Sequence, residues 1–314
     1  MQIAERLPFV VRPRARRQRH LNWRRILTAY AFLAPYLIVL VVFTLIAVLY
    51  AFYLSFYRVN LGIEAPVFRG LKNYQNIWFD LTHDGDFKVG LINGVKYTVG
   101  VVILQTVLGL ALAVLLNQRV RARGFFRTLF YLPALTSSVA ISLIFLWLYT
   151  PDGAINRLFS IFGLQGPNWL HDPLTALPAI MLLNIWTTAP TFMIIYLAAL
   201  QDIPPTLSEA ARVDGANGWQ VFRHVTLPLL RPTTFLVVAL GTIGAFQVFD
   251  QIYLMEGAEG GPLRSTLTPV VNIYNTAFRS SLFGLACAEA FVLFVVIFAF
   301  TIVQRRFIDA NIQY

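Results

Sequence analysis

Glu209–Pro232, EAARVDGANGWQVFRHVTLPLLRP, is the longest polar-rich interval between two strongly apolar segments in the second half of the chain. Just upstream and into it, Thr206-Leu207-Ser208-Glu209 has capping-box spacing: the threonine hydroxyl accepts from the N–H of residue 209 while the glutamate reaches back. Ala210 and Ala211 then predict a short, slim helix. Asp214-Gly215 offers a residue free to take positive φ, which ends that helix and turns the chain. Asn217 and Gln220 repeat the start signal for a second helix through Trp219, Phe222 and Val225, with Leu227-Pro228 as its end. The sum is a helix–turn–helix whose first arm lets another protein approach its backbone closely. Capping and composition alone fit a well-capped surface loop better.

The apolar flanks set the class. Of 314 residues, 57% are hydrophobic and 13% charged, too little charge to cover a soluble domain of this size. The net charge of +10 could suggest nucleic acid, but its placement argues against that. Residues 1–25 carry +7 and residues 117–127 carry +4, each beside an apolar segment, which is topological charge in a membrane protein. The single Cys287 excludes an internal disulfide. His20, His83, His171 and His224 are scattered without ligand spacing, so neither a metal nor any other cofactor is expected.

Six apolar spans are predicted, near residues 26–56, 92–116, 128–150, 175–200, 233–255 and 282–303. Each meets the requirement of about 20 residues, and only helices satisfy their own backbone groups in lipid. Arg119, Arg121, Arg123 and Arg127 put the second-to-third connection in the cytoplasm, and Arg305-Arg306 does the same for the end of the sixth span. Both termini are then cytoplasmic. The expected fold is an all-α integral membrane protein, a polytopic bundle of about six transmembrane helices with a cytoplasmic coupling helix–turn–helix. Three parts follow: a basic arm (1–25) that touches membrane lipid, a transmembrane domain (26–306) containing the 201–232 loop, and a tail (307–314).

Enzymatic signatures are missing. No GxxxxGK[ST] stretch cradles nucleotide phosphates, and Gly257–Pro262 lacks the lysine and hydroxyl residue, so it reads as an external turn. There is no GxSxG and no HExxH. Polar residues inside spans are costly unless they face protein or water, so each is a pathway candidate. Asn184, Thr187 or Thr188, and Thr191 share one face of the fourth span. Interhelical packing by small hydroxyl residues explains them equally well. In the fifth span Gln247 and Gln251 share a face, whereas Asp250 reads as a capping or pairing residue. Glu289 is the acid set deepest in apolar sequence.

Glu209-Ala210-Ala211, Asp214-Gly215-Ala216, Phe222, Leu227-Pro228 and Pro232 resemble, in order, the EAA loop of ABC importer permeases. Val225 departs, where isoleucine is more usual. LPALTSSVAISLIFLWLYTPDGAINRLFSIFGL, AALQDIPPTLSEAA and FDQIYLMEGAEGGPLRST extend the likeness to permeases of sugar-type, binding-protein-dependent importers, over about residues 27–306. Met255-Glu256 departs in the external turn. The resemblance implies a non-enzymatic bacterial inner-membrane subunit carrying half of a pathway for a sugar or related polyol. Its implied partners are a second, related permease, a dimer of cytoplasmic ATPases and an extracytoplasmic solute-binding protein. It implies ATPase coupling through Glu209, Ala210, Ala211, Asp214, Gly215, Ala216 and Phe222, and substrate contacts at Asn184, Thr187, Thr188, Thr191, Gln247 and Gln251. The competing reading is a self-sufficient secondary transporter or channel. Such folds show inverted repeats, none of which is visible here, and they leave the loop unexplained.

Overall fold

The computed structural model describes residues 23–60, 65–118 and 122–308. Most of the basic arm, Arg119, Arg121 and the tail beyond Ile308 lie outside the described residues. The chain divides into two compact units, Met1–Tyr50 and Ala51–Tyr314. In the first, α1 (Trp23–Val39) leads through a π-helical stretch, Leu40–Leu45, into α2 (Ile46–Leu54). Ile26–Leu54 is long and apolar enough to cross a membrane despite Pro35.

The second unit takes in the end of α2, residues 51–54, and continues as a small antiparallel hairpin, β1 (Tyr57–Arg58) with β2 (Val67–Phe68), followed by α3 (Lys72–Thr82). Its axis is α4 (Asp86–Asn117) packed along α8 (Ala176–Asp202). The buried residues Gly90, Gly94, Tyr97, Val101, Gln105, Gly109 and Ala113 recur three or four apart along α4, forming one stripe. Small residues set the approach. A Cβ on Gly109 would lie 3.1 Å from Phe192 Cβ and 3.2 Å from the Ala189 carbonyl oxygen. On the other side of the stripe Ile103, Leu104 and Val107 are exposed, an apolar face suited to lipid.

The predicted third span is not straight. It consists of α5 (Arg123–Leu135) and α6 (Ser138–Leu148), bent by 92° at the break. Pro133 lacks the N–H of a helical ladder, and Thr136 and Ser137 take extended ψ values of 143° and 137°. The described residues thus hold five single spans, or six if the bent pair counts as one. The segment predicted as external turns contains α7 (Ala154–Ile161), pinned by a 2.8 Å bond from Trp169 Nε1 to Asn156 Oδ1.

After α8 come α9 (Pro205–Val213), α10 (Gly218–Val221), a π-helical turn and α11 (Leu227–Leu229), then α12 (Arg231–Phe246). The fifth span breaks at residues 247–249 and resumes as α13 (Asp250–Glu256). Gly257, Gly260 and Gly261 all have positive φ, as a Gly-rich turn requires. Beyond it the chain folds inward as α14 (Pro269–Tyr274), which packs on α4 and on the last span, α15 (Phe283–Ile308). Asn93 of α4 holds this segment by donating to the carbonyls of Arg264 at 2.9 Å and Leu267 at 3.1 Å.

Candidate functional site

Two regions carry the predicted residues. The first is the 201–232 segment. Its helix α9 starts differently from the prediction: Pro205 occupies the first turn, Pro204 precedes it, and no side chain caps it. Proline wins that position because its fixed φ suits the first turn, where an N–H would go unpaired anyway, so Thr206 falls inside the helix. The end follows the prediction closely. Gly215 has φ +88°, its N–H donates to Arg212 O at 3.0 Å, and the Ala216 N–H reaches Ala211 O at 2.9 Å. That pair of bonds is a Schellman motif.

The second start also forms as read. Asn217 Oδ1 accepts from the Gln220 N–H at 2.9 Å, and Gln220 Oε1 accepts from the Asn217 N–H at 2.8 Å. Leu227-Pro228 does not end that arm; the backbone stays helical through a π-helical stretch, Phe222–Thr226, and on to Leu229, although Pro228 brings no N–H to the ladder. Ala211, Asp214, Gly215, Ala216, Gln220 and His224 line a concavity of about 400 Å³ between the two arms. Glu209 and Ala210 are exposed on α9, and Phe222 is half-buried with its ring 5.6 Å from that of Trp219. Val213, 87% exposed, and Trp219, 66% exposed, leave large apolar surface uncovered in this chain.

The second region lies beside the break in the third span. Thr187, Thr188 and Thr191 of α8 line a cavity of about 200 Å³ with Gln251 of α13 and Thr136 and Ser138 at the break. Thr188 Oγ1 donates to Gln105 Oε1 at 2.7 Å and lies 3.5 Å from Asn184 Oδ1, so Asn184 adjoins this group without lining the cavity. Gln247 does not join it. The helix is interrupted directly after Phe246, so Gln247 turns away from Gln251 and lines a larger apolar groove with Ile243, Ile273 and Thr301. The shared face predicted for the two glutamines assumed an unbroken helix.

Three contributors escaped sequence reading. Gln105 is 1% exposed, and its Nε2 has no partner among the described residues. Ser138 donates to Asp250 Oδ2 at 2.7 Å, tying the break of the third span to α13 and giving Asp250 the pairing role read for it. Thr276 donates to Glu289 Oε1 at 3.3 Å, a partner supplied by the segment after α14. A glutamine inside an apolar run was the available signal for Gln105; nothing local marks Ser138 or Thr276.

This bundle, with a bent span beside a polar cavity and a projecting helical loop, is matched by known proteins. Residues 105–310 match the family model of the binding-protein-dependent transport system inner membrane component. The chain belongs to that family. This permease is 33% identical over 288 residues to the trehalose/maltose transport system permease protein MalF of Thermococcus litoralis, covering 91% of this chain and 95% of that one. It is 34% identical to the lactose transport system permease protein LacF of Rhizobium radiobacter, with 88% and 92% covered. Among solved structures, a chain of a bacterial ABC transporter that imports the acidic polysaccharide alginate shares the fold, with TM-score 0.75, 23% identity and 90% and 96% of the two chains covered. The permease is therefore a multi-pass membrane component of an ABC importer, with ATP hydrolysis assigned to a separate subunit.

Proposed function

We propose that this permease forms half of the translocation pathway for a sugar or related polyol and is driven through its 201–232 segment by a pair of cytoplasmic ATPases. The observation that carries the coupling half is the projecting loop: a Schellman-ended slim helix, a concavity, and exposed Val213 and Trp219. Uncovered apolar residues of this kind beside polar ones suit a protein partner. One such loop engages one ATPase, so a second, related permease completes the unit. An extracytoplasmic solute-binding protein delivers the substrate. Both termini and the loop face the cytoplasm, and residues 26–306 form the transmembrane domain.

The substrate class is supported by the cavity at the broken span. Its polar wall of Thr187, Thr188, Thr191, Ser138 and Gln251 is neutral, offering hydroxyl and amide groups. Such groups pair with sugar hydroxyls, and the adjoining Asp250 carboxylate is engaged by Ser138. Asn184 acts here by orienting Thr188, and Gln247 meets substrate only when the adjoining groove opens to the pathway. Closure of the ATPases on the loop would move it as a rigid body and switch the cavity between membrane faces.

Reconstitution tests this reading. The permease alone in liposomes should hydrolyse no ATP and carry no sugar, whereas the complex with ATPase, second permease and loaded binding protein should do both. Gradient-driven uptake by the permease alone would overturn it in favour of a secondary transporter. Orientation is checked in cells on a Cys287→Ser background. An impermeant thiol reagent should label Gln165→Cys and spare Val213→Cys.

A further inference from the structure

The hairpin after the first span carries another polar cavity. Arg58 of β1 sits opposite Val67 of β2, and the Arg69 N–H continues the ladder by donating to Phe56 O at 2.9 Å. Opposed residues share a face and alternate residues repeat it, so Arg58 and Arg69 lie on the same face. Both line a cavity of about 190 Å³, with Asn60, Asn76, Gly284 and Leu285 among its other walls.

The start of α15 forms one wall. Phe283 N–H donates to Val59 O at 3.0 Å, and Ala286 N–H to Leu282 O at 3.0 Å. Gly284 and Leu285 carry the remaining N–H groups of that first turn, the positive end of a 26-residue helix. A Cβ on Gly284 would run into the Tyr57 carbonyl oxygen, so glycine is what brings the helix start this close. Nearby Asn73 is committed to structure, donating to the carbonyls of Ser55 at 2.8 Å and Tyr57 at 3.0 Å.

Among the described residues no acid pairs with these arginines. The ion pairs there are Lys88–Asp84, Arg264–Asp86 and Arg279–Glu259, and neither Arg58 nor Arg69 takes part in one. Two guanidinium forks, amide side chains and a helix start present many donors to an anion with several acceptor oxygens. The position narrows the source. Arg58 follows the end of the span Ile26–Leu54 by four residues, and Gly284 lies at the beginning of the span Phe283–Phe307. The cavity is therefore at headgroup level, with Phe68 and Trp78 exposed on the same hairpin and on α3, as in an interfacial belt.

We propose that Arg58, Arg69 and the first turn of α15 form a binding site for a phosphate-type oxyanion, supplied by a phospholipid headgroup or by free phosphate. The inference goes beyond transport and holds whichever membrane face the hairpin occupies. The test uses the importer complex in nanodiscs of phosphatidylcholine with added phosphatidylglycerol. Native mass spectrometry reads the retained lipid, and calorimetry in phosphatidylcholine alone reads inorganic phosphate. Wild type should retain phosphatidylglycerol over phosphatidylcholine, and R58Q/R69Q should bind it roughly tenfold more weakly, allowing for solvent exposure of both arginines. R58K/R69K should keep part of the binding, because the charge survives without the fork. Phosphate that competes with phosphatidylglycerol supports one shared site. Phosphate binding without lipid retention, lost in R58Q/R69Q, supports the same site with the free anion as its occupant. Equal lipid retention by wild type and R58Q/R69Q, with no phosphate response in either, overturns the proposal. So does a loss confined to solute-binding-protein affinity, which would make the arginines a docking point for an acidic protein surface. Should R58Q/R69Q fail to assemble, the exposed R69Q alone gives the same comparison.

Discussion

Gly215→Val isolates the loop's contribution to coupling. At φ +88° any L side chain is strained, by about 1–2 kcal/mol in the left-handed region, and a β-branched one is among the worst accommodated. Among the described residues, its chain neighbours aside, nothing lies within 4 Å of a Cβ built there, so backbone strain is the main internal cost. Relief is available by releasing the Gly215–Arg212 and Ala216–Ala211 bonds, worth about 0.5–1.5 kcal/mol each. The disturbance thus stays within a few kcal/mol and is confined to an exposed turn. Membrane insertion and pairing with the second permease should survive. The valine methyl groups would instead project into the concavity between the arms, where a partner would seat. Losing a central contact of about 2 kcal/mol weakens association roughly 30-fold. The assay is the ATPase rate of the reconstituted complex with and without loaded binding protein, alongside co-purification of the ATPase. Stimulation and retention should both collapse in Gly215→Val, and Gly215→Asn should recover part of each, since asparagine tolerates this conformation. Normal stimulation together with normal ATPase retention in Gly215→Val would refute the coupling role.

Within the same loop, Asn217→Ala should destabilise the second arm by about 1 kcal/mol, seen as faster local hydrogen exchange, because it breaks an observed capping box. Thr206→Ala should leave exchange unchanged, since Thr206 caps nothing. Thr188→Ala removes the one donor to the Gln105 Oε1 found among the described residues, at a cost of about 1–3 kcal/mol, so the melting temperature in detergent and the initial uptake rate should both fall, with Thr188→Ser retaining most of each. Gly109→Val should sharply reduce the yield of folded permease on size-exclusion chromatography, because Ala189 O and Met193 N of α8, both 3.2 Å from a Cβ at this position, are backbone and cannot step aside. Gly109→Ala should be milder.

Local chemistry explains what could be read directly. The end of α9 at Gly215 and the start of α10 at Asn217 are each settled by residues within six positions, so their signals survive without tertiary context. The start of α9 was misread because two local signals competed there, and Pro205 displaced the threonine cap. The candidate pathway cluster was half legible: the threonines of α8 share a cavity, yet Gln247 lines a different groove because the fifth span breaks.

By itself the sequence determined that this chain is a bundle of apolar helices with an exposed, capped loop, because hydropathy, charge placement and capping act over short distances. Only the tertiary structure decided which face of each span is buried. On α4 the lipid-facing and protein-facing sides are both apolar, so hydrophobic periodicity carries no contrast, and the buried stripe is set by close approach at Gly109. It also decided the 92° bend of the third span and the inward fold of α14. Pro133 marks where the third span can break, but the far arm is tied to α13 by Ser138 meeting Asp250, and the segment before α14 is held by Asn93 meeting the carbonyls of Arg264 and Leu267, partners more than a hundred residues apart in each case, which no local signal encodes.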